Sequence, residues 1–257
     1  MRKLLVFAAG LSVAFVVAGC SNTARFSYSA APGAMPEFTP LPGAPTVGVM
    51  PAEDLRDVST YADGDNSNEF YGSYYLGLIP FFPFGWRSMR HPEQSGEFAT
   101  LSQFDFSPAE DLADASVQSL RASRLFAKVE RIRDPGKSDC TYLWRTKLRG
   151  SRYRGYILTY CVTYFVAPLL WVVGFPDAIS SEDLKVDFEL VDRASGQVVW
   201  KRSHDLSDSM LHWIYTRIGA DANLYAMMMK YALGSSLAEL SAGIPAPAAE
   251  TAAETAK

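Results

Sequence analysis

The sequence predicts an α/β (α+β) fold: a single small mixed sheet flanked by two helices, with an apolar insertion and disordered ends. Three observations predict it. Helical periodicity follows Ser107 and returns after Asp221. Two-residue alternation runs through 142–148 and 184–190. A turn cluster at 192–196 then joins the second of those strands to another apolar run.

In chain order, Thr46-Val47-Gly48-Val49-Met50 reads as a short first strand, stopped by Pro51, which has no amide to give a ladder. Ser107-Pro108-Ala109-Glu110 announces a helix. Ser107 serves as cap, Pro108 takes the first turn where its missing N–H costs nothing, and Glu110 completes a capping box. Ala109, Leu112, Ala113, Ser116, Val117 and Leu120 then recur on one face. Arg121 and Arg124 close the last turn, where cations suit the helix dipole. A strand is expected over 126–132 and a turn at Asp134-Pro135-Gly136.

The next strand is expected over 140–150, with Tyr142, Trp144 and Leu148 on one face and Arg145, Lys147 and Arg149 on the other. Leu184, Val186, Phe188 and Leu190 alternate with Lys185, Asp187 and Glu189, and the turn into 197–202 makes a hairpin. The last helix, about 221–240, is apolar nearly all round. Leu224, Met227, Met228 and Tyr231 mark one side and Met229, Leu233, Leu237 and Leu240 another, so burial on two sides is expected.

The amino-terminal end follows another logic. Arg2 and Lys3 precede an uninterrupted apolar run over 4–17, too short to span a bilayer comfortably and closing on small residues. That is the layout of an export signal. Its end, Val17-Ala18-Gly19-Cys20-Ser21, resembles the lipobox of bacterial lipoproteins. The resemblance implies cleavage between Gly19 and Cys20, diacylglycerol on the Cys20 sulfur and acylation of the new amino group. Ser21 stands where an aspartate would retain such proteins in the inner membrane, so the resemblance implies an outer-membrane anchor with the domain facing the periplasm. An ordinary signal peptide cut near a cysteine is the alternative. Several acyl chains would anchor stably, since each buried methylene contributes ~0.8 kcal/mol.

Residues 20–44, rich in Ser, Ala, Pro and Gly, read as a flexible tether; 45–241 read as the folded domain. Residues 242–257, mostly Ala, Pro, Glu and Thr, read as a disordered tail. Of the 257 residues, 48% are hydrophobic and 20% charged, ordinary for one globular domain. The net charge of −4 gives no general attraction to nucleic acid, which is not expected as a partner.

The order strand, helix, strand, strand, hairpin, helix resembles a group of outer-membrane lipoproteins that share a small α/β domain. The group includes the curli secretion channel lipoprotein, the lipoprotein activators of penicillin-binding proteins, and the amino-terminal domain of the Tol system's propeller protein. Three stretches carry the likeness: Leu120-Arg121-Ala122-Ser123-Arg124-Leu125-Phe126-Ala127-Lys128-Val129, the strand 142–148, and Leu190-Val191-Asp192-Arg193-Ala194-Ser195-Gly196-Gln197-Val198-Val199-Trp200. The resemblance implies an accessory or assembly role. It brings no catalytic residues, and the chain departs from the group in its long insertion after the first strand and its apolar stretch after Tyr156.

Several constellations invite a functional reading. Residues 74–86 are dense in aromatics, and 155–176 contain no charged residue. Phe81, Phe82, Phe84, Trp86, Tyr164 and Trp171 are the candidates for an interface, either between subunits or with lipid. The alternative is that the two segments pack on each other as a subsidiary core. The second segment has the length of a membrane span, but Pro168 interrupts it and the strands flanking it must share one compartment.

Arg145, Lys147, Arg149, Arg152 and Arg154 form a basic row, read either as an anion-binding surface or as partners of Asp187 and Glu189 across the sheet. His204, Asp205, Asp208 and His212 would seat a metal only on a helix, so no metal is expected. Cys140 and Cys161 suit a disulfide in an oxidising compartment, or two buried thiols. No phosphate loop, nucleophile elbow or Cys-x-x-Cys is present, and no cofactor is expected.

The expectation is therefore a membrane-anchored, non-enzymatic binding or assembly factor of the cell envelope, with a protein partner or a second copy of itself. The alternatives are a subunit of an outer-membrane channel or secretion complex, and an envelope hydrolase whose site assembles only in three dimensions.

Overall fold

The computed structural model describes residues 23–25, 35–56, 70–76, 79–89, 103–105, 107–160, 166–216 and 221–243. Ten strands and three helices run through them. The first six strands are β1 (Thr23–Arg25), β2 (Thr46–Val49), β3 (Glu53–Asp54), β4 (Phe70–Leu76), β5 (Ile79–Met89) and β6 (Gln103–Asp105). Then come α1 (Pro108–Ser123), β7 (Lys128–Arg131), β8 (Tyr142–Ile157), α2 (Ala167–Val172), β9 (Ala178–Asp192), β10 (Val198–His212) and α3 (Ala222–Ser241).

Eight strands form one mixed sheet, with the order β10-β9-β8-β2-β7 as its spine; β1 and β6 pair separately. β2 lies parallel between β7 and β8, while β8, β9 and β10 form an antiparallel meander. β8 organises the sheet. One edge takes β9 along its whole length; the other takes β2, β3 and β5 in succession. α1 and α3 touch each other and the sheet, giving two layers. The α+β class is as expected.

α1 begins at Pro108 as its signals require, but the expected capping box does not form, since the Ser107 side chain makes no cap hydrogen bond. Asp111 Oδ2, at 2.7 Å, accepts the Ser107 amide, and Glu110 instead pairs with Arg131. Leu112, Ala113, Ser116 and Leu120 are fully buried, so the face read from spacing is the face that packs. Trp144 forms the centre of the core, 5.3 Å from Phe188 and stacked at 5.7 Å on Trp200.

The other face carries a smaller cluster of Ile132, Cys140, Leu143 and Val191. Gly48 passes beneath it so closely that an added Cβ would lie 2.6 Å from Ile132 Cδ1, which explains a glycine in mid-strand.

Four expectations are corrected. The tether expected over 20–44 does not include its last ten residues: Met35 and Leu41 are buried at 5% exposure, and the Phe38 and Leu41 amides donate to Ser123 and Leu125 carbonyls. The long helix is buried mainly on one side, since Met227 and Tyr231 are exposed. The strand expected over 140–150 runs on to Ile157, and its hairpin partners lengthen with it. The apolar stretch 155–176 is divided between the end of β8 and short α2, and no helix among the described residues is long and apolar enough to cross a membrane.

Candidate functional site: an apolar lobe above a buried polar network

The extension of β8 depends on one irregularity. The register with β9 shifts between Leu148 and Gly150, making Arg149 the extra residue of a β-bulge. Before it, Trp144, Thr146 and Leu148 face the helices; after it, Ser151 and Tyr153 do. The same shift keeps Lys147, Arg149 and Arg154 on the outer face, although their numbers change parity.

There they meet acids on β9. Lys147 reaches Glu189 at 3.0 Å, Arg149 reaches Asp187 at 2.9 Å and Arg154 reaches Asp183 at 3.2 Å. Lys201 on β10 also lies 3.3 Å from Glu189. Burial alone would raise the Glu189 carboxyl, but hydrogen bonds from Lys147 and Lys201 outweigh it and hold the group below its ordinary value. The basic row is thus a cross-strand charge ladder, the second of its two sequence readings.

Beyond the ladder the inward face turns polar. Asp221, just before α3, accepts hydrogen bonds at Oδ2 from Tyr153 Oη and from Ser180 Oγ, each at 3.0 Å. His212 Nε2 lies 2.7 Å from Ser180 Oγ. Ser180 Oγ also lies 3.1 Å from Tyr153 Oη, so the two hydroxyls, the carboxylate and the imidazole share one buried hydrogen-bond network.

All four groups are at most 2% exposed. Glu182 is fully buried beside them, with no side-chain partner for its carboxyl. Burial first, then the charge of Asp221, pushes its carboxyl well above the usual range, against a backbone hydrogen bond from Tyr225. Burial also raises Asp177, against the pull of its own backbone hydrogen bond and of His212.

Over this network lies the end of the sheet and α2. Ala167 and Trp171 face inward, and Trp171 Nε1 donates to the Leu158 carbonyl at 2.9 Å. Tyr160 Oη donates to the Pro176 carbonyl at 2.6 Å and its ring meets Phe175 edge-on at 5.6 Å. Tyr215 Oη donates to the Val172 carbonyl at 2.7 Å. The outward side chains are apolar: Leu169 is 64%, Val172 56% and Val173 71% exposed. Val166 and Phe175 are exposed beside them, and Tyr156 and Leu211 are exposed at the strand ends, both in register with Ile179.

Trp171, one of the sequence candidates, is therefore a support for this lobe and not its surface. Phe81, Phe82, Phe84 and Trp86 lie in β5, whose backbone pairs Trp86 with Tyr156 and so joins the two apolar segments. Tyr164 lies outside the described residues, as do Gly19, Cys20 and the tail from 244 onward. The exposed residues of α2 and Tyr215 escaped sequence reading, because only packing tells which side of a uniformly apolar stretch faces out.

Cys140 is a buried free thiol. Cys161, the other half of the expected disulfide, lies outside the described residues.

His204 and His212 sit in a strand, not a helix, on the order of 26 Å apart. His204 Nε2 is 2.7 Å from Ser236 Oγ, and Asp205 pairs with Lys185 at 3.2 Å. Among the described residues, no three His, Cys, Asp or Glu side chains gather where a metal could be held.

No family model matches the chain, and no curated protein matches it in sequence. Several solved structures resemble it in part. A Xanthomonas campestris protein matching the DUF330 family model has 13% identity and a TM-score of 0.38, covering 86% of this chain and 93% of that one. PelC from Paraburkholderia phytofirmans, a dodecamer, has 13% identity and a TM-score of 0.34, covering 80% and 94%. A Helicobacter pylori homologue of a neuraminyllactose-binding hemagglutinin has 9% identity and a TM-score of 0.38, covering 86% and 90%. Scores of this size describe a partial geometric likeness and assign neither family nor activity.

Proposed function

We infer that this is a lipid-anchored, non-enzymatic binding or assembly factor of the bacterial cell envelope, held by Cys20 in the outer membrane and facing the periplasm. The observation that carries the reading is the apolar run 4–17 closing on Val17-Ala18-Gly19-Cys20. Acyl chains on that sulfur would hold the domain at a bilayer, fifteen residues ahead of the core residue Met35. The domain supports a binding role in two ways. Charges on the outer face of the sheet are matched across strands, and the grouping of Ser180, His212 and Asp221 is closed off from solvent. What it offers outward is apolar surface, the usual mark of an interaction site.

The test is Cys20→Ser in the full-length chain, followed by membrane fractionation and labelling with radioactive palmitate. Loss of label and release of the protein into the soluble envelope fraction are expected. A variant that stays membrane-bound, or a parent that takes no label, would sink the reading.

A further inference from the structure

We propose that the lobe formed by Tyr156, Val166, Leu169, Val172, Val173 and Phe175 seats on the lipid surface of the membrane to which Cys20 is tethered, so that the domain is held at two points. The inference rests on the anchored reading above and adds a second, non-covalent contact to it.

Three observations select lipid over a protein partner. First, these side chains are 40–71% exposed, and the stretch 155–176 that supplies them holds no charged residue. Second, the hydroxyls and the indole that brace the lobe from beneath are closed inward. Tyr160 and Tyr215 spend their hydroxyl protons on the Pro176 and Val172 carbonyls, and Trp171 spends its indole proton on Leu158. The backbone turns on itself in the same way, with Leu170, Val173, Gly174 and Phe175 amides donating to Val166, Leu169, Trp171 and Leu170 carbonyls. A protein interface ordinarily exchanges about ten hydrogen bonds with its partner, whereas a hydrocarbon boundary requires polar groups to be satisfied internally. The lobe is built for the second condition.

Third, the tether reaches. Met35 packs at 3.7 Å from the position of a Cβ on Gly234, in the second half of α3. The start of that helix is fixed at the lobe end of the sheet by the bonds of Asp221 to Tyr153 and Ser180. Thirteen helical residues separate the two levels, about 20 Å. The fifteen residues from Cys20 to Met35, β1 (Thr23–Arg25) among them, extend at most about 50 Å, so the length of chain before Met35 exceeds the distance between the two levels.

The experiment uses the mature chain from residue 20 with Cys20→Ser, which keeps every core residue from Met35 to Leu240. It is mixed with vesicles of equimolar phosphatidylethanolamine and phosphatidylglycerol and sedimented, beside the double variant Leu169→Asp, Val173→Asp. Both substituted side chains already face solvent, so the melting temperature should not move. Vesicle partitioning of the variant should fall at least ~10-fold, because two charges would have to enter the lipid boundary.

A parent that does not bind vesicles, or a variant that binds as the parent does, overturns the proposal. So does a variant that loses only self-association in analytical ultracentrifugation, since the lobe would then be a subunit contact. Failure here is separable from failure of the anchor. Full-length protein with an intact Cys20 and the two aspartates would still take up palmitate and fractionate with membranes.

Discussion

At the residue scale, the buried polar groups under the lobe determine how the fold responds to pH. Burial, then Asp221, raises the Glu182 carboxyl in the folded state, while in the unfolded chain it ionises near its ordinary value of 4.5. The folded state therefore holds the proton more tightly, and stability falls as pH rises from that value towards the raised one. Glu182→Gln keeps the shape and removes the titration. Its urea midpoint should match the parent's at pH 4 and exceed it at pH 8. Parallel pH profiles for the two proteins would refute the assignment. Alternation placed Lys185, Asp187 and Glu189 correctly from sequence alone. It could not place Glu182, because a buried carboxylate reads as a solvated one until the residues above it are known.

At the scale of elements, β8 shows how one inserted residue sets the surface of a sheet. The spacing Arg145, Lys147, Arg149, Arg152, Arg154 steps by two, two, three and two, and the step of three is the bulge. Deleting Arg149 would close the bulge and set Leu148 and Gly150 in unbroken register with Val186 and Lys185, so Tyr153 stays inward and Arg154 outward. The variant loses the partly exposed Arg149–Asp187 pair, which should cost no more than about 1 kcal/mol in a denaturant melt. A loss of cooperative unfolding would mean that the ladder does not heal and that the bulge is needed to align the charges. The helices were easier to read: the periodicity of α1 and its Ser107-Pro108 start are local. The far halves of β8, β9 and β10 were missed because Ser151, Ser180 and His212 point inward, breaking the apolar alternation by which strands are recognised.

At the scale of the molecule, the amino-terminal segment is part of the fold before it is a tether. Met35 and Leu41 are buried in the same core as α1 and α3, and two of the segment's amides bond to the end of α1 and the residues after it. A chain beginning at residue 45 should be less stable than one beginning at residue 34 by several kcal/mol, on the order of 2–5 for each large side chain withdrawn from the core. Thermal melts of the two would show it, and equal melting temperatures would contradict the packing. The arrangement also takes residues 35–44 out of any tether that precedes the domain.

By itself the sequence determined whatever depends on neighbours a few residues away. The turn at 192–196, the start of α1 and the inward face of each short strand all belong to that class. The tertiary structure decided what depends on residues far apart in the chain. It set β8 between β9 and a succession of three shorter strands, matched Lys147 and Arg149 to acids about forty residues on, and chose which flank of 166–175 faces outward. The division has one physical cause. Backbone period and turn chemistry act through the nearest few residues, whereas burial and charge pairing are properties of a position relative to distant segments, which acquire values only when the sheet closes.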